Sequence, residues 1–325
     1  MNFFRWFGGA FALCWAVLGT ALSAQEMPVV RVAVLQIGTV NWELDTIQGN
    51  GFDIANGFEL AALPYADNGA TRVAFEGGDA DVAVVDWIWA ARQRAAGKEY
   101  VFIPYSKAVG GLVVPGDSSA QSLTDLAGGK IGIAGGPLDK SWLILQAYAE
   151  QEFGMDLTED TEQVYGAPPL IYKTALAGDM AGAINFWHFL AKMKAAGMRE
   201  LLSVAEASQA LGLDPDVPLL GYVMKESYLA EHPDMAKSFY AATRASKALL
   251  AGDDDAWEPL RERMNVRSQA EFHTLRDDFR AGIPSDGPIN EASADKLLQL
   301  MAELGGEKLV GKATTLPPGL FVEFQ

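Results

Sequence analysis

A stretch of twenty residues occurs twice in this chain, one hundred positions apart. Gly78-Asp79-Ala80-Asp81-Val82-Ala83-Val84-Val85-Asp86-Trp87 aligns without gaps to Gly178-Asp179-Met180-Ala181-Gly182-Ala183-Ile184-Asn185-Phe186-Trp187. The match continues through Arg92/Lys192 and Arg94/Lys194 to Gly97/Gly197, and eight of the twenty positions are identical. Alanine and glycine supply six of these, so the weight falls on Asp79/Asp179 and Trp87/Trp187. The same offset pairs Tyr65 with Tyr165 and Trp42 with Trp142. Solenoid units repeat every ~20–50 residues. The longer period predicts two similarly built lobes, and 325 residues suit two domains at roughly 150 each.

Each copy sits in an alternation of strands and helices. The β-branched run Val29 to Leu35 reads as a buried strand. A helix over Asn41 to Gly51 follows, then a strand over Gly57 to Leu63 closed by Pro64. Next come a short helix over Thr71 to Glu76, a strand over Asp81 to Val85 and a helix over Trp87 to Ala96. Residues 101–114 read as two strands separated by a turn, and Pro115 to Ser119 as a break. The pattern then restarts, with strands at Lys130 to Ala134, Glu162 to Tyr165 and Ala181 to Asn185. Helices over Leu138 to Glu152, Leu170 to Leu176 and Trp187 to Ala196 separate and follow them. From Tyr228 the chain reads as mainly helical. Strands alternating with helices over short loops predict parallel sheets covered on their faces.

The first 24 residues are of another kind. Arg5 precedes an uncharged, largely apolar run from Trp6 to Leu22, and Leu22-Ser23-Ala24 offers a small residue at a cut. This is the layout of a secretory signal peptide cleaved after Ala24. The alternative is a retained anchor, but the run falls short of the ~20 residues that span a bilayer comfortably. A lipoprotein would use Cys14, which follows Leu13 rather than a small residue. Cleavage leaves 24 bases against 42 acids, a net charge of −18, and no cysteine. The expected location is the periplasm.

Such an acidic balance argues against nucleic acid, whose affinity rests on Lys and Arg at phosphates. It argues equally against a basic face on anionic membrane. His188, His232 and His273 lack metal-ligand spacing, so neither metal nor cofactor is expected.

The order of motifs resembles the periplasmic substrate-binding proteins of ABC importers, closest to the nitrate, taurine/sulfonate and pyrimidine-precursor class. The residues carrying the likeness begin with the strand Arg31 to Leu35 and the entry Ala74-Phe75-Glu76-Gly77-Gly78-Asp79-Ala80-Asp81. Leu112 to Ser118 and Leu123 to Gly132 resemble the crossover into a second lobe, and Lys225 to Pro233 the return to the first. The resemblance covers residues 29–250. It implies a two-lobed α/β periplasmic-binding-protein fold of type II. Each lobe would hold a mainly parallel sheet flanked by helices, with two crossing strands as hinge. The expected limits are 25–114 plus 219–325 for lobe one and 115–218 for lobe two. The resemblance also implies a small-molecule ligand between the lobes and an inner-membrane ABC permease as partner, with a monomer expected.

Open parallel sheets bind ligands beyond the carboxyl ends of their strands, where loops and helix N-termini converge. That rule selects Gly38, Thr39, Trp42, Tyr65, Asn68, Asp86 and Trp87 in lobe one. In lobe two it selects Gly135, Gly136, Lys140, Trp142, Tyr165, Asn185, Phe186, Trp187 and His188. Trp42, Trp87, Trp142 and Trp187 fall at spacings of 45, 55 and 45. They would face one cleft as an aromatic cage, or each would cap its own core. Asp86, with no basic neighbour in sequence, would balance a cationic ligand or cap the next helix. Gly135-Gly136 permits close backbone approach to an anion at a helix N-terminus, with Lys140 assisting. The selected loops hold no Arg, which argues against an oxyanion and for a small nitrogen-containing organic ligand, amine or heteroaromatic.

An enzyme is not expected. The chain has no G-x-S-x-G elbow, P-loop or H-E-x-x-H, and an Asp86/His188 acid–base pair lacks a nucleophile. Two alternatives remain: an accessory or sensor protein of the same fold, and a pyrimidine-synthesis-like enzyme.

Overall fold

Among the described residues, ten strands form two five-stranded sheets, and each sheet holds one copy of the repeat. The computed structural model describes Met1 and residues 27–322, so the expected signal peptide and its cleavage site lie outside the described residues. The first sheet has the order β2-β1-β3-β10-β4. Its members are β1 (Val29–Leu35), β2 (Glu59–Tyr65), β3 (Val82–Asp86), β4 (Tyr100–Ser106) and β10 (Leu220–Lys225). The second has the order β7-β6-β8-β5-β9. It comprises β5 (Gly111–Val114), β6 (Lys130–Ala134), β7 (Glu162–Gly166), β8 (Gly182–Asn185) and β9 (Arg199–Ser203). In each, three neighbouring strands are parallel, and a strand from the far side of a crossing pairs antiparallel beside them. The offset of one hundred residues thus maps β3 and helix Trp87–Ala95 onto β8 and helix Trp187–Ala195.

The crossings differ from expectation. β4 and β5 are no hairpin, because they belong to different sheets. The chain crosses at 107–110, before β5 rather than after Val114, since β5 pairs with β8 and β9. Val113 therefore lies in an interior strand of the second sheet. The return crossing is 204–219, and Lys107 forms an ion pair with Asp216 between the two crossings. β10 has no counterpart in the sequence reading. Gly221 permits it: a Cβ there would lie 2.2 Å from the Phe102 ring of β4. Pro64 also fails to close β2, which runs on to Tyr65. An edge strand tolerates proline because one of its sides needs no ladder partner.

Aspartates start the helices that follow β2, β3 and β6. Asp67, Asp86 and Asp139 accept from the backbone N–H groups of Ala70, Trp89 and Trp142 at 2.9, 2.9 and 3.1 Å. Each satisfies an N–H that a helix start leaves unpaired. The C-terminal helices then cover both lobes. Helix Gln269–Ala281 packs on helix Trp187–Ala195 of the second lobe. Helix Glu291–Val310 packs on helices Trp87–Ala95 and Lys140–Phe153, one from each lobe. No described helix is long and apolar enough to cross a membrane.

Candidate functional site

A cavity of about 460 Å³ opens where the carboxyl ends of the parallel strands of both sheets face each other. Gly38, Thr39, Asn68 and Asp86 line it from the first lobe, and Gly135, Lys140, Phe186, Trp187 and His188 from the second. Residues beside the two crossings, Ala108, Val109, Leu219 and Leu220, complete its wall.

Seven selected residues do not line it. Trp42, Trp87 and Trp142 are 4%, 0% and 1% exposed and belong to the cores. Trp87 meets Phe321 edge-on at 5.8 Å, and Trp42 meets Trp257 at 6.2 Å. The four-ring cage is therefore not formed. Trp87 and Trp142 fill the core cluster that also holds Phe102 and Ile133, and Trp42 fills the one that holds Phe58 and Tyr222. Asn185 is also spent on structure. Its Nδ2 donates to the Pro168 carbonyl at 3.0 Å, and its Oδ1 accepts from Phe186 N–H at 2.8 Å. Tyr65 packs on an alanine cluster, Tyr165 is exposed on the edge strand β7, and Gly136 serves the turn at φ +107°.

Charged residues dominate the polar side of the cavity. Lys140 Nζ, from the second lobe, donates to Asp86 Oδ2 of the first at 2.9 Å. Arg72 Nη2 lies 3.8 Å from the same oxygen. Asp86 thus caps its helix and holds two cations, so it already has basic partners from both lobes. Burial alone would raise its carboxyl. The Lys140 charge and hydrogen bond, the Trp89 N–H and Arg72 outweigh that and hold it below the usual carboxylate range.

Arg72 and Trp89 were not selected from sequence. Arg72 lies four residues after Asn68 on helix Asn68–Gly77, hence on the same face. The positional rule stopped at the first turn, and that spacing was the available signal. The Arg72 guanidinium sits 5.1 Å from the centre of the Trp89 ring. Its Nε is buried without a protein partner. Arg92 also lines the cavity, so the absence of Arg from the loops does not exclude an oxyanion.

Three further groups complete the wall. Tyr105 shares a hydrogen bond with Thr39 across 3.4 Å, and burial with the nearby Glu43 charge keeps its phenol un-ionised. Burial pushes the Asp139 carboxyl up to about 6, against the Trp142 N–H and the Lys140 charge, with Asp86 adding to the rise. Burial, with the Lys192 charge, lowers His188 to about 3, so the imidazole is neutral, and its buried Nε2 has no protein partner.

Two mixed five-stranded sheets crossed twice by the chain, with a cavity between their strand ends, define the two-lobed periplasmic-binding-protein fold. Residues 48–256 match the NMT1/THI5-like family, and the chain belongs to that family. The periplasmic aliphatic sulphonate binding protein SsuA from Escherichia coli superposes with a TM-score of 0.70 at 15% identity, over 91% of this chain and 94% of that one. The alkanesulfonate-binding protein SsuA from Xanthomonas axonopodis pv. citri, bound to MOPS, gives 0.68 at 14% identity, over 90% and 98%. The desulfurization enzyme DSZB gives 0.59 at 14% identity, over 90% and 97%. At these identities the likeness shows the fold alone. No curated protein sequence matches the chain.

Proposed function

We propose that this chain is the extracytoplasmic solute-binding component of an ABC importer and that it captures a small organic anion with an apolar or aromatic body. The observation that carries the anion is the Arg72 guanidinium, which lines the cavity over Trp89 and beside the Lys140–Asp86 pair. An oxyanion takes its accessible N–H groups and the Lys140 ammonium as charge-assisted donors. Asp86 stays paired and orients both cations. Val85, Ile88, Leu138, Phe186 and Trp187 offer apolar surface for the rest of the solute. A cationic amine, expected from the sequence, is disfavoured because two cations already neutralise Asp86. The lobes, with limits at the crossings 107–110 and 204–219, open by bending there and deliver the solute to an inner-membrane permease from the periplasm as a monomer.

Calorimetry with alkanesulfonates, aryl carboxylates, amines and pyrimidines tests the reading. Binding of the anions is expected, weakened about 10- to 100-fold in Arg72→Ala, as for one charge-assisted hydrogen bond of about 1.5–3 kcal/mol. Binding of amines or neutral pyrimidines without any anion overturns the anion. Turnover of a bound sulfonate or sulfinate moves the chain to the enzymes.

A further inference from the structure

Helix Trp187–Ala195 belongs to the second lobe, where Leu190 and Met193 pack, yet its Trp187 and Ala191 join a core of the first. Trp187 sits in an aromatic box, 5.8 Å from Trp42 and 6.4 Å from Phe279 between ring centres. One turn further, Lys192 has three oxygens around its ammonium. It donates to the carbonyls of Met264 and Asn265 at 3.1 and 3.0 Å and pairs with Glu271 at 3.1 Å. Two hydrogen bonds and one ion pair thus hold the ammonium, while Glu271 Oε2 accepts from the Arg267 N–H at 2.9 Å. Asn265 turns its carbonyl to this seat by closing helix Arg261–Met264 in the left-handed region, at φ 51°. It is the only non-glycine residue with positive φ among the described residues. The seat is largely shielded, with the side chains of Lys192 and Glu271 14% and 7% exposed. A buried charge pair costs far more to break than an exposed one.

We propose that this helix is a latch: the Lys192 seat fixes Phe186, Trp187 and His188 as a wall, and so sets the length of solute the cavity accepts. The geometry behind this is one of position. Phe186, Trp187 and His188 stand at the start of the latched helix and line the cavity. The wall therefore rests on contacts within the protein, not on the solute. Lys192 acts through the helix as a positioning residue. This inference rests on the reading that the cavity takes a solute, but not on the charge of that solute.

The test uses spin labels on Val73→Cys and Leu170→Cys, two exposed positions in opposite lobes of a chain whose single native cysteine is Cys14, replaced by serine. Electron-spin distance measurements are made on protein without added solute. A single narrow distance is expected. Lys192→Met combined with Glu271→Gln leaves no buried charge unpaired and is expected to lengthen and broaden that distance. Trp187→Phe is a second variant with the same expected direction, and circular dichroism checks that each is folded. Lys98→Met, which breaks an exposed pair with Glu76 inside lobe one, is expected to change nothing. Identical distances in both folded latch variants and the unmodified chain overturn the latch. With alkanesulfonates from methane- to octanesulfonate, the spread of Kd across the series is expected to narrow at least tenfold in the latch variant. An unchanged spread with a lengthened distance removes the role in solute size. Absence of sulfonate binding removes the anion and leaves the distance result to decide the latch.

Discussion

Asp139 and His188 face the same cavity, yet they pull stability in opposite directions with pH. Asp139 takes a proton at about 6 in the folded chain and near 3.8 when unfolded. Between those values the native state binds more protons, so this group stabilises the fold as pH falls. At neutral pH its buried charge is a cost. Asp139→Asn keeps an oxygen for the Trp142 N–H and removes that charge. The variant is expected to melt at higher temperature than the native chain at pH 7.5, with the gap closing by pH 4, in paired thermal melts. His188 acts the other way. Its folded value of about 3 lies below the ordinary 6.5, so the unfolded chain takes the proton first as pH falls. Stability from His188 is complete above pH 6.5 and is lost progressively towards pH 3. His188→Asn is expected to flatten that acid limb.

At the scale of single elements, the strand ends and the helices after them were legible because apolar runs, glycines and aspartate caps mark them in order. What was not legible was where an indole turns. Trp42, Trp87 and Trp142 sit at the positions that loops would bring to a cleft, and all three packed into cores instead. Spacing along the chain fixes which loop carries a residue, not whether its side chain faces the cavity or the sheet beneath. Arg72 escaped for the converse reason, since it reaches the cavity from inside a helix. Trp87→Ala and Trp142→Ala are accordingly expected to cost about 3–5 kcal/mol of stability, as large-to-small core changes do, in urea unfolding. Solute affinity is expected to stay within about threefold in whatever folds. Trp89→Ala is expected to do the reverse and weaken solute by about 0.5–2 kcal/mol, the range for a cation–π support. β10 is not legible because Gly221 interrupts its apolar pattern, whereas the bare Cα is what lets the strand lie against Phe102.

Across the whole molecule, the repeat at one hundred residues foretold two lobes correctly, but not how they are joined. One core cluster runs from Trp87 and Phe102 of the first lobe to Ile131 and Trp142 of the second. Another joins Trp42 and Phe58 to Trp187 and Ala191. Two lobes sharing two cores are expected to unfold together. Tryptophan fluorescence and far-ultraviolet circular dichroism should give coincident denaturation curves, with a single calorimetric peak. Two separated transitions would show that the lobes are independent.

The order in which the chain leaves the ribosome makes β10 consequential. It lies between β3 and β4, and the residues from Ser106 to Leu220 that separate it from β4 include the whole second sheet. Until they have been synthesised, β3 and β4 each present an edge with no neighbour. Unpaired strand edges invite pairing with other chains. Contacts spanning so much sequence also form slowly, because loop closure must precede any gain from them. The nascent chain thus passes more than a third of its synthesis in a state that a holdase chaperone would recognise, and the first lobe can mature only after the second has been made.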